Sequence, residues 1–188
     1  MCGTQWLGLA GATLLASACA TAGKGGHENA DASAQGDGAQ GSDAAVEVCA
    51  SSATCLASMD LGAVSGDTGS AMVMASGYQA AWFHVRVTED DNGVSGVKLK
   101  ITTRLMSPAA SNYDVFVYVN TGSDVIECGT PSGTATTTGT TDQLKINWGE
   151  GSVANGANDG RSVSIEVRPV SGPCSKAQPW QLVVLGNT

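Results

Sequence analysis

Four stretches of this chain alternate apolar and polar residues with a period of two, and this pattern constrains the fold more than any other feature. In AWFHVRV, Phe83, Val85 and Val87 share one face, and Trp82, His84 and Arg86 the other. In GVKLKITTRL, Val97, Leu99 and Ile101 oppose Lys98, Lys100 and Thr102. In DQLKINW, Leu144, Ile146 and Trp148 oppose Lys145 and Asn147, and in RSVSIEVRP, Val163, Ile165 and Val167 oppose Ser164, Glu166 and Arg168. Period two is the signature of a strand with one face buried and one wet. Two further runs, DVFVYV at 114–119 and WQLVVL at 180–185, are apolar on both faces and are expected to be central strands. Turn-forming clusters at 90–96, 107–111, 129–133, 154–160 and 171–173 separate these runs, and Asn92-Gly93 suits a tight hairpin.

Strands are therefore expected near 70–75, 82–88, 96–105, 114–120, 143–148, 162–168 and 180–185. No convincing amphipathic helix follows residue 47. About seven short strands call for two packed sheets, so the fold class is all-β, an antiparallel, jelly-roll-like β-sandwich. The composition agrees: aromatics make up 5% and charged residues 14% of the chain. Its formal charge of −8 lacks the basic footprint of a nucleic-acid binder.

The N-terminal third reads differently. Residues 6–18, WLGLAGATLLASA, are uncharged but too few to span a bilayer as a helix, which takes about 20. They fit the apolar region of an export signal. The segment ends Ser17-Ala18-Cys19, which resembles the lipobox of bacterial lipoproteins, with Ala16 standing where that family usually has Leu. The resemblance implies cleavage before Cys19, diacylglycerol on its sulfur, and a membrane partner reached through that anchor. Ala20 in the next position implies sorting to the outer membrane; the alternative is an ordinary signal peptide and a secreted protein. Residues 20–47 hold almost no large apolar side chain before Val46 and carry one lysine against five acids. Such a segment cannot bury enough surface to order itself and reads as a flexible linker. The expected organisation is a signal peptide at 1–18, a lipidated cysteine and linker at 19–47, and a sandwich at 48–188.

Cys49, Cys55, Cys128 and Cys174 remain in the body, enough for two disulfides in an exported protein. Three pairings are open; the expected one joins Cys49 to Cys55 and Cys128 to Cys174, the latter tying two neighbouring loops.

Residues 59–186 resemble the bacterial pre-peptidase C-terminal domain. The likeness runs through LGAVSG, the strand of Trp82, Phe83, Val85 and Val87, the YDVFVYV strand, and the closing SIEVRP and WQLVV strands. It implies a small non-catalytic sandwich of the kind appended to secreted enzymes, with calcium-stabilised binding modules among its relatives.

No catalytic motif stands out: the body has one histidine, His84, in mid-strand, and lacks G-x-S-x-G, H-E-x-x-H and the P-loop pattern. The expectation is no enzyme, with an unmarked carboxylate pair as the remote alternative. Glu89, Asp90 and Asp91 sit together before Asn92-Gly93 and could supply oxygen ligands to calcium, joined by Asp60 or Asp67; otherwise they form a charged tip that keeps a turn soluble. No other cofactor is implied. Trp82, His84 and Arg86 share a face, and with Phe116 and Tyr118 on it they would form an aromatic platform for a glycan or an extracellular protein. The reading that results is an envelope-anchored lipoprotein displaying a binding or architectural module. The runner-up is a secreted accessory to an extracellular hydrolase.

Overall fold

The computed structural model describes residues 49–91, 93–153 and 156–188; the expected signal peptide, Cys19, linker and Asn92 lie outside them. The described residues form nine strands and one short 3₁₀ turn, Cys55–Ala57. The strands are β1 (Met59–Ser65), β2 (Met72–Gly77), β3 (Ala81–Thr88), β4 (Leu99–Met106), β5 (Asn112–Val119), β6 (Gly133–Ala135), β7 (Thr141–Trp148), β8 (Arg161–Ser171) and β9 (Trp180–Gly186). Among the described residues no helix is long and apolar enough to cross a membrane.

They make two sheets. The first has the order β1-β3-β8-β5-β6, and the second β2-β9-β4-β7. From β2 onward this is the strand order of a jelly roll, with β3-β8-β5-β6 facing β2-β9-β4-β7. To that frame β1 adds one strand, parallel to β3 in an otherwise antiparallel molecule. Both runs that are apolar on two faces are interior strands: β5 lies between β8 and β6, and β9 between β2 and β4.

The alternating residues do what their period dictates. Phe83, Val85, Val87, Val115, Val117, Ile165 and Val167 of the first sheet meet Leu99, Ile101, Leu105, Trp180, Leu182 and Val184 of the second in one buried core. Full burial of each such side chain contributes roughly 1.5–3 kcal/mol before the cost of ordering. The large rings in this core satisfy their polar ends. Tyr113 donates to the carbonyl of Tyr78 at 2.7 Å, Trp180 Nε1 to that of Gln79 at 3.0 Å, and Trp148 Nε1 to that of Asp159 at 2.8 Å. Phe83 and Trp180 meet edge to face, with ring centroids 5.9 Å apart. The core, the nine strands and both disulfides all lie between Cys49 and Thr188, so this part holds what it needs to fold alone.

Two expectations are corrected. Cys49 pairs with Cys174 and Cys55 with Cys128, with Cα separations of 5.4 and 5.9 Å. The reason is topological: the carbonyl of Cys49 accepts the amide of Ala80, which holds it at the β2–β3 turn. There Tyr113 also touches Cys174 Sγ. Cys55 instead reaches the β5–β6 connection. Second, residues 89–98 do not close a hairpin, because β3 and β4 belong to different sheets.

Two strands, β1 and β6, lie outside the expected set. β1 is interrupted by a register shift between Asp60 and Ala63, where Gly62 takes φ +92°, a conformation that favours glycine. β6 is three residues long.

Candidate binding site

The outward face of the first sheet is set by the register of β3 and β5 on either side of β8. Trp82 pairs with Glu166, and Glu166 with Phe116; His84 pairs with Ser164, and Ser164 with Tyr118. Trp82, His84, Arg86, Phe116 and Tyr118 therefore share one face, as the platform reading requires. The Trp82 and Tyr118 rings lie 5.2 Å apart at 33°. Arg168 sits 3.9 Å above the centroid of Phe116. Its Nη2 donates to Glu166 Oε2 at 2.6 Å and to the Tyr118 oxygen at 3.1 Å. Tyr118 donates in turn to Glu166 Oε2 at 2.7 Å. Burial and the Glu166 carboxylate push the Tyr118 hydroxyl up to about 12, so it stays a neutral donor at physiological pH.

Only part of this face is open. Tyr118 is 2% exposed. Arg86 Nη1 donates to both oxygens of Asp124 at 2.6 Å, and the Asp124 carboxyl, held low chiefly by Arg86, also accepts the Ser162 amide at 3.2 Å. With the Cys55–Cys128 bridge, this contact ties the β5–β6 connection to the sheet. His84 Nδ1 meets Ser58 Oγ at 3.1 Å. His84 and Arg86 thus position loops, and Trp82, like them, is partly exposed.

Trp82 has a second role that its sequence pattern did not announce. It lines a groove of about 600 Å³ with Met59, Leu61, Met74, Tyr78, Phe83 and Trp180. The groove runs between β1 and β2, edge strands of opposite sheets, where the sandwich is open. Met59 and Met74, each 64% exposed, stand at its rim, and its floor is aromatic. The strand β2, MVMASG, carries no charge or proline to guard its free edge.

Ser58, His84 and Asp60 form a Ser–His–Asp string, with His84 Nε2 3.5 Å from Asp60 Oδ1. The arrangement does not resemble a working triad. Asp60 is 66% exposed, so its charge is dissipated in water. Ala57 and Met59, on either side of Ser58, line the groove, while the Ser58 hydroxyl engages His84.

The acidic loop is organised around Asp67. Its carboxylate accepts the amides of Asp90 at 3.0 Å and Asp91 at 2.9 Å, and the Ser65 hydroxyl at 2.9 Å. Burial works to raise the Asp67 carboxyl, but these donors outweigh it and hold it below the ordinary aspartate value. Asp67 approaches the loop, as the calcium reading expected of it or Asp60, and there it accepts backbone amides. Asp90 Oδ2 accepts Thr88 Oγ1, Asp91 Oδ1 accepts the Gly93 amide, and Glu89 Oε2 accepts the Asp159 amide. Glu89 and Asp91 line a hollow of about 220 Å³ with Glu150. Among the described residues no three His, Cys, Asp or Glu side chains are placed to hold a metal ion together.

No protein-family model matches the sequence, and no curated protein does. Among solved structures, the pre-peptidase C-terminal domain of a collagenase from Bacillus anthracis aligns over 69% of this chain and 94% of its own, with 8% identity and a TM-score of 0.36.

Proposed function

We propose that this protein is a lipid-anchored envelope protein that displays a non-catalytic binding module. Its ligand is an extended segment of an extracellular protein, held in the groove between β1 and β2. The observation that carries this reading is the groove itself: aromatic at its floor, open at its rim, and flanked by an uncharged strand edge. An extended peptide added to such an edge gains main-chain hydrogen bonds along the strand, and its alternate side chains enter the apolar hollow. A wholly polar glycan would leave Met59 and Leu61 without partners.

In this reading Cys19 carries the lipid and residues 20–47 are the tether that links it to the module. Several acyl chains anchor firmly where one would not, at about 0.8 kcal/mol per buried methylene. Labelled palmitate should enter the wild-type chain and not Cys19→Ser; export without label would make the protein a secreted accessory module.

The site is tested by an array of extracellular proteins, peptides and glycans probed with residues 20–188. Trp82→Ala should weaken capture of a peptide or protein at least tenfold while the fold is retained. Capture by glycans alone, or capture indifferent to Trp82, refutes the groove as the site.

A further inference from the structure

The two sheets divide the charge of the molecule unequally. Outward from the second sheet point Lys100 and Arg104 of β4 and Lys145 of β7, with Lys98 one residue before β4. The sole acid in these four strands is Asp142, which pairs with the core residue Leu105 and is 2% exposed. Among the described residues none of the four cations makes an ion pair. A chain of net charge −8 thus keeps one face free of acids.

Apolar side chains share that face with the cations. Cross-strand register lines up Met72, Leu185, Thr102 and Lys145 in one row, and Met74, Val183, Arg104 and Gln143 in the next. Met72 and Met74 are 56% and 64% exposed. In these rows the β2 and β9 positions are apolar, and the cations of the face lie on the β4 and β7 side; the next row, Ser76, Gln181, Met106 and Thr141, is mostly polar.

We propose that the outward face of the second sheet rests on a bilayer surface rich in anionic phospholipid. A sheet face that is half basic and half apolar matches the headgroup boundary, where cations meet phosphate and apolar groups sink below it. The acids of the first sheet do not prevent this contact. They point to solvent on the far side of a core about 10 Å thick, so their distance from the bilayer exceeds the Debye length of about 8 Å and the surrounding salt screens them. The chain's own acidic segment has complementary charge, but from Glu28 to Ala45 it holds no apolar side chain larger than alanine to cover Met72, Met74, Val183 and Leu185. Docked in this way, the module turns the Trp82 and Tyr118 face away from the membrane. The inference goes beyond the peptide-binding reading and does not depend on it.

The test is flotation of residues 20–188 with vesicles of phosphatidylcholine, alone or mixed with phosphatidylglycerol. Binding should require phosphatidylglycerol and weaken as salt rises. Lys100→Gln, Arg104→Gln and Lys145→Gln should each lower partitioning about fivefold, from roughly 1 kcal/mol per basic side chain at an anionic surface. Lys176→Gln, outside these strands, should leave it unchanged, and unaltered unfolding midpoints show that the variants fold. The proposal is overturned by equal binding to phosphatidylcholine alone or by no binding to either vesicle; a dimer that the same variants dissociate would then assign the face to a second copy, and binding that appears only once Glu28, Asp31, Asp37, Asp43 and Glu47 are neutralised would assign it to the chain's own acidic segment.

Discussion

Replacing Asp67 by Asn removes one negative charge from a buried position and leaves its shape nearly intact. In the native protein the Asp67 carboxylate takes the Asp90 and Asp91 amides and the Ser65 hydroxyl, at 2.9–3.0 Å. Hydrogen bonds to a charged acceptor contribute roughly 1.5–3 kcal/mol each. Asn keeps one carbonyl oxygen, and its NH₂ group faces a backbone amide that is also a donor. The Asp90 and Asp91 amides share one carboxylate oxygen and can stay on the Asn carbonyl, so about one bond is lost outright and the others lose the charge of their acceptor, for an expected destabilisation of about 3 kcal/mol. Urea unfolding at neutral pH should show this as a lower midpoint with an unchanged slope. The pH dependence is a second check. Because the Asp67 carboxyl is held below 3.8 in the folded state, its stabilisation is present above that pH. It is lost as pH falls through the lower folded value, when the wild type must also give up the charge. The difference between wild type and Asp67→Asn should therefore shrink in that window. A loss under about 1 kcal/mol at neutral pH, or a difference that persists in acid, would refute the reasoning.

Three further outcomes follow from the same structure. Removing the Cys55–Cys128 bridge with Cys55→Ala and Cys128→Ala should cost roughly 4 kcal/mol on the chain-entropy model for its sequence separation of 73, read as a drop in the urea midpoint. Burial and the nearby Asp142 charge raise the Asp114 carboxyl despite Arg168, so its ionised form costs stability above the ordinary aspartate value. Asp114→Asn should raise the melting midpoint at neutral pH, and the gain should fade as pH drops through the raised value. A side-chain carbon on Gly77 would stand 2.5 Å from Trp180 Cζ2, so Gly77→Ala should destabilise by roughly 1–3 kcal/mol and disturb Trp180 fluorescence.

Period-two alternation was enough to place Phe83, Val85, Val87, Leu99, Ile101, Val163, Ile165 and Val167 in the core, because a strand offers only two faces. It also placed Trp82, His84 and Arg86 on one outer face. It could not show that Tyr118 stacks on Trp82, because that contact depends on the register of both strands against β8. β1 was not legible, since the Gly62 bulge breaks its period and its parallel pairing leaves no turn signal. The disulfides were misjudged for a related reason. The expected pairing rests on Cys128 and Cys174 lying in neighbouring loops, whereas the jelly-roll crossing brings the β8–β9 loop to the β2–β3 turn. The groove was invisible because its walls come from β1, β2, β3 and β9, which meet only after both sheets have closed.

The central claim is that the open side of the sandwich, between β1 and β2, is where a partner binds. Amide hydrogen exchange on residues 20–188, with and without a peptide captured in the array, tests it directly. Bound peptide should slow exchange across Met72–Gly77 and Met59–Ser65, with smaller changes elsewhere. Protection confined to the β5–β6 connection, or none in β2, would contradict the account.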